Sequence, residues 1–328
     1  MRAAVMAAPA VVEITTVPDP APGPADAVVE VAAVGLCGTD LHIFAGGHGS
    51  LPVIPGHEVT GTVVELGPQA RGLRVGDRVA VDPSLPCGAC RWCRRGQQNL
   101  CATLGALGVT TAGGAAELMA APARCCVVLP DHVDLASATL IEPLSCAVRG
   151  YDVLRSKLGV SVLIYGAGTM GLMMLELAKR TGALAVDVVD LNPGKLSVAA
   201  QLGARAAAVA AEELDEAGWD VVIDATGSAA AIQDGLGRVA KGGTFLQFGV
   251  SRPDAAVTVS PYEIYRNEIT ITGSMAVLNS FERAAELFAA GVLDPQVFIT
   301  RRARLDDYAA ALAAFGRGEG LKTQVLPA

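Results

Sequence analysis

The chain has 328 residues, 52% of them hydrophobic and 18% charged, with a formal net charge of −8. At roughly 100–200 residues per domain, this length predicts about two domains with large apolar cores. The negative balance offers no field to attract nucleic acid or an anionic membrane, and the sequence holds no apolar run of about 18 residues that would span a bilayer.

The first residues, "MRAAVMAAPAVV", place an Arg before an apolar run, as a leader peptide does. Pro9 interrupts that run, Glu13 closes it, and the alternation in "VVEITTV" reads as a strand instead. This predicts a cytoplasmic protein, where thiols stay reduced and clustered cysteines point to a metal before they point to disulfides. Onward to about residue 144, "DAVVEVAAVG", "VTGTVVELG" and "GDRVAV" predict short strands broken by Gly and Pro, an irregular β-rich domain.

Two stretches of this domain hold metal-binding residue types. "VGLCGTDLHIF" carries Cys37, Thr39, Asp40 and His42, and "PGHEVTG" carries His57 and Glu58, with His57 twenty residues after Cys37. A thiolate, an imidazole and a carboxylate form a mixed ligand set of the kind that leaves one position on zinc open. "IEPLSCA" adds Glu142 as a further candidate carboxylate. Taken singly, each has a plainer reading: a core cysteine, a hydrogen-bonded structural histidine, a solvated acid.

The segment "CGACRWCRRGQQNLC" holds Cys87, Cys90, Cys93 and Cys101. Four thiolates fill a tetrahedral zinc, leave no place for substrate, and so predict a loop-holding site. The alternatives are a reactive redox pair and a nucleic-acid-binding zinc ribbon, and the latter would call for a basic surface. Cys125, Cys126 and Cys146 remain, and read as buried small hydrophobes.

Near residue 160 the texture changes. Strand "VSVLIY", helix "LMMLELAKR", strand "AVDVV", helix "PGKLSVAAQLG", strand "DVVIDAT", a helix from about Ser228 and strand "GTFLQFG" alternate, which predicts a parallel sheet. "YGAGTMG" supplies Gly166, Gly168 and Gly171, with Thr169 and Met170 between them, after a strand and at the start of a helix. In that context the glycines allow a tight turn, close approach of a pyrophosphate and close packing of helix on strand. The helix N-terminus then offers N–H groups to the phosphates. Asp190, nineteen residues after Gly171, ends the next strand, where a carboxylate binds the adenosine 2′-hydroxyl of NAD and repels a 2′-phosphate. No Arg follows directly, and Lys195 is close enough to cover the same ribose, so the reading is NAD before NADP. The plainer alternative is a structural turn with Asp190 capping a loop. After Gly273 a helix near "SFERAAELFAAG" and a final strand near "LKTQVL" complete the chain.

"CGTD", "GHEVTGTVVELG", "GDRVAV", the four-cysteine lobe and the glycine turn follow one another in an order that resembles the zinc-containing medium-chain dehydrogenases over essentially the whole chain. Glu58 with "EPLSCA" is most similar to the polyol branch of sorbitol and arabinitol type, and "CGTDLHI" is similar to threonine dehydrogenases. The resemblance implies an α/β protein: a GroES-like β-rich catalytic domain from residues 1–144 and 277–328, and a Rossmann NAD-binding domain, a doubly wound parallel sheet, over 145–276. It implies two zinc ions per chain. Cys37 and His57 would bind the catalytic ion with Glu58 or Glu142 as third ligand, while Asp40 would accept a hydrogen bond from His57. The cysteine lobe would hold the structural ion. Thr39 and His42 would carry the proton away. The implied reaction moves a hydride from a secondary alcohol (polyol, cyclitol or amino-cyclitol) to NAD and leaves a ketone. L-Threonine or a simple secondary alcohol is the alternative substrate. A non-catalytic NAD-binding sensor or partner protein is the alternative of another class, and such a protein, like a zinc-free quinone reductase, would be expected to have lost the ligands kept here. Sorbitol-type enzymes carry Phe-Arg-Tyr where this chain has Met275, Ala276 and Val277, which argues against sorbitol itself. Phe44, His48 and Glu142 are candidates for the pocket wall. The family also implies a homo-oligomer, a tetramer before a dimer.

Overall fold

The computed structural model describes residues 1–47, 49–155, 157–214 and 218–327; His48 lies outside the described residues. The chain forms two compact units, one from Met1–Ser145 with Val277–Ala328 and the other from Cys146–Ala276.

The first unit is built on a seven-stranded sheet. Its order is Ile299–Arg304, Lys322–Leu326, Asp26–Gly35, Glu58–Leu66, Arg78–Val81 and Cys126–Val128, with Leu118–Pro122 also pairing with Asp26–Gly35. Asp26–Gly35 reads "DAVVEVAAVG" and is buried along nearly its whole length, as a strand paired on both sides and covered on both faces must be. Lys322–Leu326 runs antiparallel to it, with Gln324 opposite Gly35 and Val325 opposite Val34. Asp26–Gly35 also pairs antiparallel with Glu58–Leu66, placing Gly35 opposite Glu58. Val29, Val31, Leu36, Ile43, Val63 and Tyr308 belong to one apolar cluster beneath this sheet.

The second unit holds a six-stranded parallel sheet in the order Ala206–Ala208, Ala185–Val189, Ser161–Tyr165, Trp219–Asp224, Val239–Gln247 and Thr270–Gly273. The chain starts in the middle, winds to one edge, and returns to wind to the other. The strand order therefore reverses between Ser161–Tyr165 and Trp219–Asp224, where open α/β sheets bind their ligands. Helices Thr169–Arg180, Pro193–Gln201 and Ala229–Gly237 connect the strands. Pro193 opens its helix, and the Asn192 side chain accepts from Gly194 N–H at 2.9 Å and Lys195 N–H at 3.3 Å. The fold class is the α/β class expected, a β-rich unit and a doubly wound parallel sheet.

Elements that the sequence reading did not name include helices Gly38–Phe44, Ile141–Leu154, Pro261–Asn267 and Tyr308–Gly316 and strands Ala206–Ala208 and Ile299–Arg304. The shortest of them cannot show a period. Cys125 and Cys126 are buried as expected, whereas Cys146 is only half-buried. Among the described residues no helix is long and apolar enough to cross a membrane.

The glycine turn is tight. Gly166 has φ 102°, a left-handed backbone, and its N–H donates to Val189 O at 2.7 Å. A Cβ on Gly171 would lie 1.7 Å from Gly166 O, but one on Gly168 would meet nothing within 4 Å. Gly171→Ala is therefore expected to lower unfolding stability by about 1–3 kcal/mol, the usual cost of overpacking. Gly168→Ala should leave it nearly unchanged. Urea unfolding of the two variants checks this, and equal losses would refute the packing account.

Candidate functional site

Cys37, His57 and Glu58 place one ligand atom each within 4.8 Å of one another. Cys37 follows the end of strand Asp26–Gly35 and is the N-cap of helix Gly38–Phe44. Its N–H donates to Asp40 Oδ2 at 2.8 Å, so the carboxylate three residues on closes the first turn over the cysteine. His57 precedes strand Glu58–Leu66, and Glu58 begins it. Asp40 and Glu58 are 0% exposed and His57 is 6% exposed. His57 Nδ1 lies 4.0 Å from Asp40 Oδ1, an ion-pair separation longer than a hydrogen bond, which leaves Nε2 for the side of Cys37.

Glu58 is held from behind. Lys322 Nζ donates to Glu58 Oε1 at 2.6 Å and to Leu36 O at 3.0 Å. Glu58 Oε2 is buried and has no hydrogen-bond partner in the protein. Space for that oxygen comes from Gly35, where a Cβ would sit 1.9 Å from Oε2 and 3.1 Å from Glu58 Cβ. Lys322 and Gly35 were not found by sequence reasoning. Both act across strands, and neither stands in a local motif.

The electrostatics describe a buried site rich in anions. Burial pushes the Asp40 and Glu58 carboxyls up, with Lys322 and His57 opposing it. Burial alone would lower His57, but Cys37 and Asp40 beside it win and hold it well above its usual value. Burial likewise works against Lys322, and Glu58 outweighs it. Glu142, in the first turn of helix Ile141–Leu154, is pushed up to about 7 by burial and by Glu58, with His57 pulling the other way. Its carboxylate is not in the Cys37–His57–Glu58 group. A soft thiolate, an imidazole and an unpartnered carboxylate oxygen fit zinc and leave its fourth position open. Thr39 Oγ1 lies 3.9 Å from Cys37 Sγ. His42 is exposed and Phe44 half-buried at the far end of the same helix.

The other cysteines form a separate group. The sulfurs of Cys87, Cys90, Cys93 and Cys101 all lie within 4.8 Å of one another. Cys90 Sγ and Cys93 Sγ are 3.6 Å apart, close to the edge of about 3.8 Å that four sulfurs make around zinc at ~2.3 Å. Backbone N–H groups face these sulfurs: Cys90 N donates to Cys87 Sγ at 3.4 Å, Cys93 N to Cys90 Sγ at 3.5 Å and Cys87 N to Cys101 Sγ at 3.3 Å. Backbone donors lower the Cys90 thiol to about 6, while burial and the neighbouring sulfurs raise Cys93 to about 12. The four residues fit a closed structural zinc.

In the second unit, Gly166, Gly168 and Gly171 lie between strand Ser161–Tyr165 and helix Thr169–Arg180, with Thr169 and Met170 opening the helix. Asp190 follows strand Ala185–Val189. Its Oδ2 accepts from Ala167 N at 2.7 Å and its Oδ1 from Asn192 N at 2.7 Å. The carboxylate thus pins the glycine turn to the end of the next strand. Lys195 is half-buried in the first turn of helix Pro193–Gln201.

Residues 23–131 match the alcohol dehydrogenase GroES-like domain and residues 169–290 the zinc-binding dehydrogenase family. D-arabinitol dehydrogenase 1 of Uromyces fabae is 38% identical over 92% of this chain and 90% of its own length. D-altritol 5-dehydrogenase of Agrobacterium fabrum is 39% identical over 80% of each chain. A zinc-binding dehydrogenase of Sinorhizobium meliloti 1021, solved bound to NADP, superposes with a TM-score of 0.95 at 32% identity over 99% of both chains. With that coverage and both ligand groups assembled, the chain belongs to the zinc-containing medium-chain dehydrogenases, as a zinc-dependent enzyme acting on CH–OH with NAD or NADP.

Proposed function

We propose that the enzyme oxidises one secondary hydroxyl of a polyol, cyclitol or amino-cyclitol to a ketone, with NAD as hydride acceptor. The observation that carries this reading is the buried Cys37–His57–Glu58 group with Glu58 Oε2 left without a partner. The substrate class is supported by the relatives that act on arabinitol and altritol.

Cys37, His57 and Glu58 would hold the catalytic ion, and Asp40 would stand behind His57. Zinc held there supplies Lewis-acid polarisation of the substrate hydroxyl. A nicotinamide bound in the second unit would supply the hydride acceptor, and Thr39 Oγ1 would take the substrate O–H proton while releasing its own through the cofactor ribose towards His42, which leaves the carbon a carbonyl. The exposed His42, on the same helix, would return the proton to water. Glu142, outside the ligand group, would act on the site through its charge. Cys87, Cys90, Cys93 and Cys101 would hold a structural zinc and touch no substrate. Gly166, Gly168, Thr169, Met170 and Gly171 would seat the pyrophosphate.

The NAD preference rests on Asp190. Each of its oxygens accepts one backbone N–H, which leaves a lone pair on each for a ribose hydroxyl and a negative charge against a 2′-phosphate. A homo-oligomer, a tetramer before a dimer, is part of the proposal. It is supported by the open edge strand Thr270–Gly273 and by helix Pro261–Asn267, which buries no residue and exposes Tyr262 and Tyr265.

Reduction of NAD, read by absorbance, should occur with one class among pentitols, hexitols, cyclitols and amino-cyclitols; turnover with L-threonine or simple alcohols alone would displace the proposal. Cys37→Ser should abolish that turnover and leave the NAD dissociation constant unchanged. Next, Gly35→Ala drives a methyl into Glu58, so metal analysis should find zinc falling from two ions per chain towards one, with the cysteine lobe still loaded. Two tightly held ions in that variant would remove Glu58 from the ligand set. Finally, Asp190→Ser should reduce the NAD over NADP ratio of kcat/KM by about tenfold or more, a loss of roughly 1.4 kcal/mol in discrimination. An unchanged ratio would dismiss the ribose role.

A further inference from the structure

Asp40 Oδ1, His57 Nδ1 and Glu58 Oε2 are buried without a hydrogen-bond partner, and so is Tyr308 Oη on a helix packed against the one that carries Asp40. The metal reading accounts for Glu58. It gives no reason for Tyr308. This residue opens helix Tyr308–Gly316, is 0% exposed, and belongs to the apolar cluster of the first unit. Phe would fill the same volume there with no donor to satisfy. A buried phenol normally finds an acceptor.

Asp40 is the acceptor at hand. Burial holds the Tyr308 hydroxyl well above its usual value, and the charge of Asp40 adds to that. Helix Gly38–Phe44, which carries Asp40, packs against helix Tyr308–Gly316. Asp40 Oδ2 is taken by Cys37 N–H at 2.8 Å, so only Oδ1 remains for other donors. That oxygen also faces His57 Nδ1 at 4.0 Å.

We propose that Tyr308 is a positioning residue for the catalytic metal: its hydroxyl donates through a bridging water to Asp40 Oδ1, and fixes the carboxylate that orients His57. Held at Oδ2 by Cys37 N–H and at Oδ1 by Tyr308, the carboxylate cannot rotate away from the imidazole. His57 then keeps its proton on Nδ1 and presents Nε2 to the ion. The residues that lie behind metal-bound histidines commonly contribute about 10–100-fold in metal affinity. The inference rests on the zinc reading of Cys37, His57 and Glu58.

The test uses the full chain loaded with zinc, and Tyr308→Phe, which removes one hydroxyl and keeps the ring. Chelator competition gives the affinity of the zinc that is lost first, and the metal-free proteins are compared by thermal unfolding. Tyr308→Phe should weaken that zinc about tenfold and leave the cysteine-lobe zinc in place. The metal-free midpoint should not fall. Added to Asp40→Asn, it should cause no further loss, because it acts through Asp40. Cobalt substituted at the site should show a shifted visible spectrum in Tyr308→Phe. Unchanged zinc affinity and an unchanged cobalt spectrum would overturn the proposal. So would an equal loss in the Asp40→Asn background, or a lowered metal-free midpoint with zinc affinity per folded chain intact. If the wild type holds two zincs and Tyr308→Phe matches it, the tyrosine role alone fails. If the wild type holds only the cysteine-lobe zinc, the metal reading fails with it.

Discussion

The ion pair between Lys322 and Glu58 spans 264 residues of sequence and lies wholly inside the first unit. Lys322 is 3% exposed and Glu58 0%. Neither charge could stay there alone, since removing one partner of such a pair costs about 3–5 kcal/mol. The pair therefore fixes the strand Lys322–Leu326 beside Asp26–Gly35, and in doing so sets which Glu58 oxygen is spent and which is free. Sheet closure and metal coordination use the same carboxylate. Cys37, Asp40, Glu58 and Glu142 together outnumber the one Lys322 cation once His57 is a neutral ligand, and a divalent ion offsets that excess of acid.

The two metal groups solve different problems with different chemistry. The cysteine lobe is contained within residues 87–101, with Cys87 exposed and Cys93 and Cys101 buried. Its sulfurs lean on backbone N–H groups of the same loop, so the loop and the ion organise each other without the sheet. The catalytic group is gathered from the end of one strand, the start of its neighbour and the support of a third. It cannot exist until the sheet has formed, and its openness is a consequence of the fold rather than of the loop.

That difference decides what could be read from sequence. The glycine turn, the four cysteines and Asp190 each stand in a local pattern with a steric or ligand-field reason for its spacing, so residue order alone locates them. Cys37, His57 and Glu58 were legible as a ligand set, but the choice between Glu58 and Glu142 was not. Spacing along the chain says nothing about which carboxylate the fold brings to within 4.8 Å. Lys322 sits in "LKTQVL", where alternation predicts a strand and a lysine predicts an exposed face; the structure buries it, with its ammonium donating to Glu58 two strands away. Gly35 and Tyr308 carry no signal at all, one being an absent methyl and the other an added hydroxyl, each meaningful only against a partner on another element. The helix Gly38–Phe44 was missed because seven residues cannot show a period, although Cys37 and Asp40 three apart are its cap.

Asp190 shows how far cofactor choice is bound to the backbone. A carboxylate that only recognised a ribose could be exchanged for a neutral or basic residue with little effect elsewhere. This one also accepts from Ala167 N in the glycine turn and Asn192 N at the start of the next helix. Exchanging it removes the acceptor for two backbone donors as well as the charge that repels a 2′-phosphate. A structure with the same backbone to a TM-score of 0.95 carries NADP, so the fold itself accepts either dinucleotide. In the proposed reading Asp190 both discriminates and holds the turn closed, so a change of cofactor made at Asp190 would cost stability as well as charge complementarity.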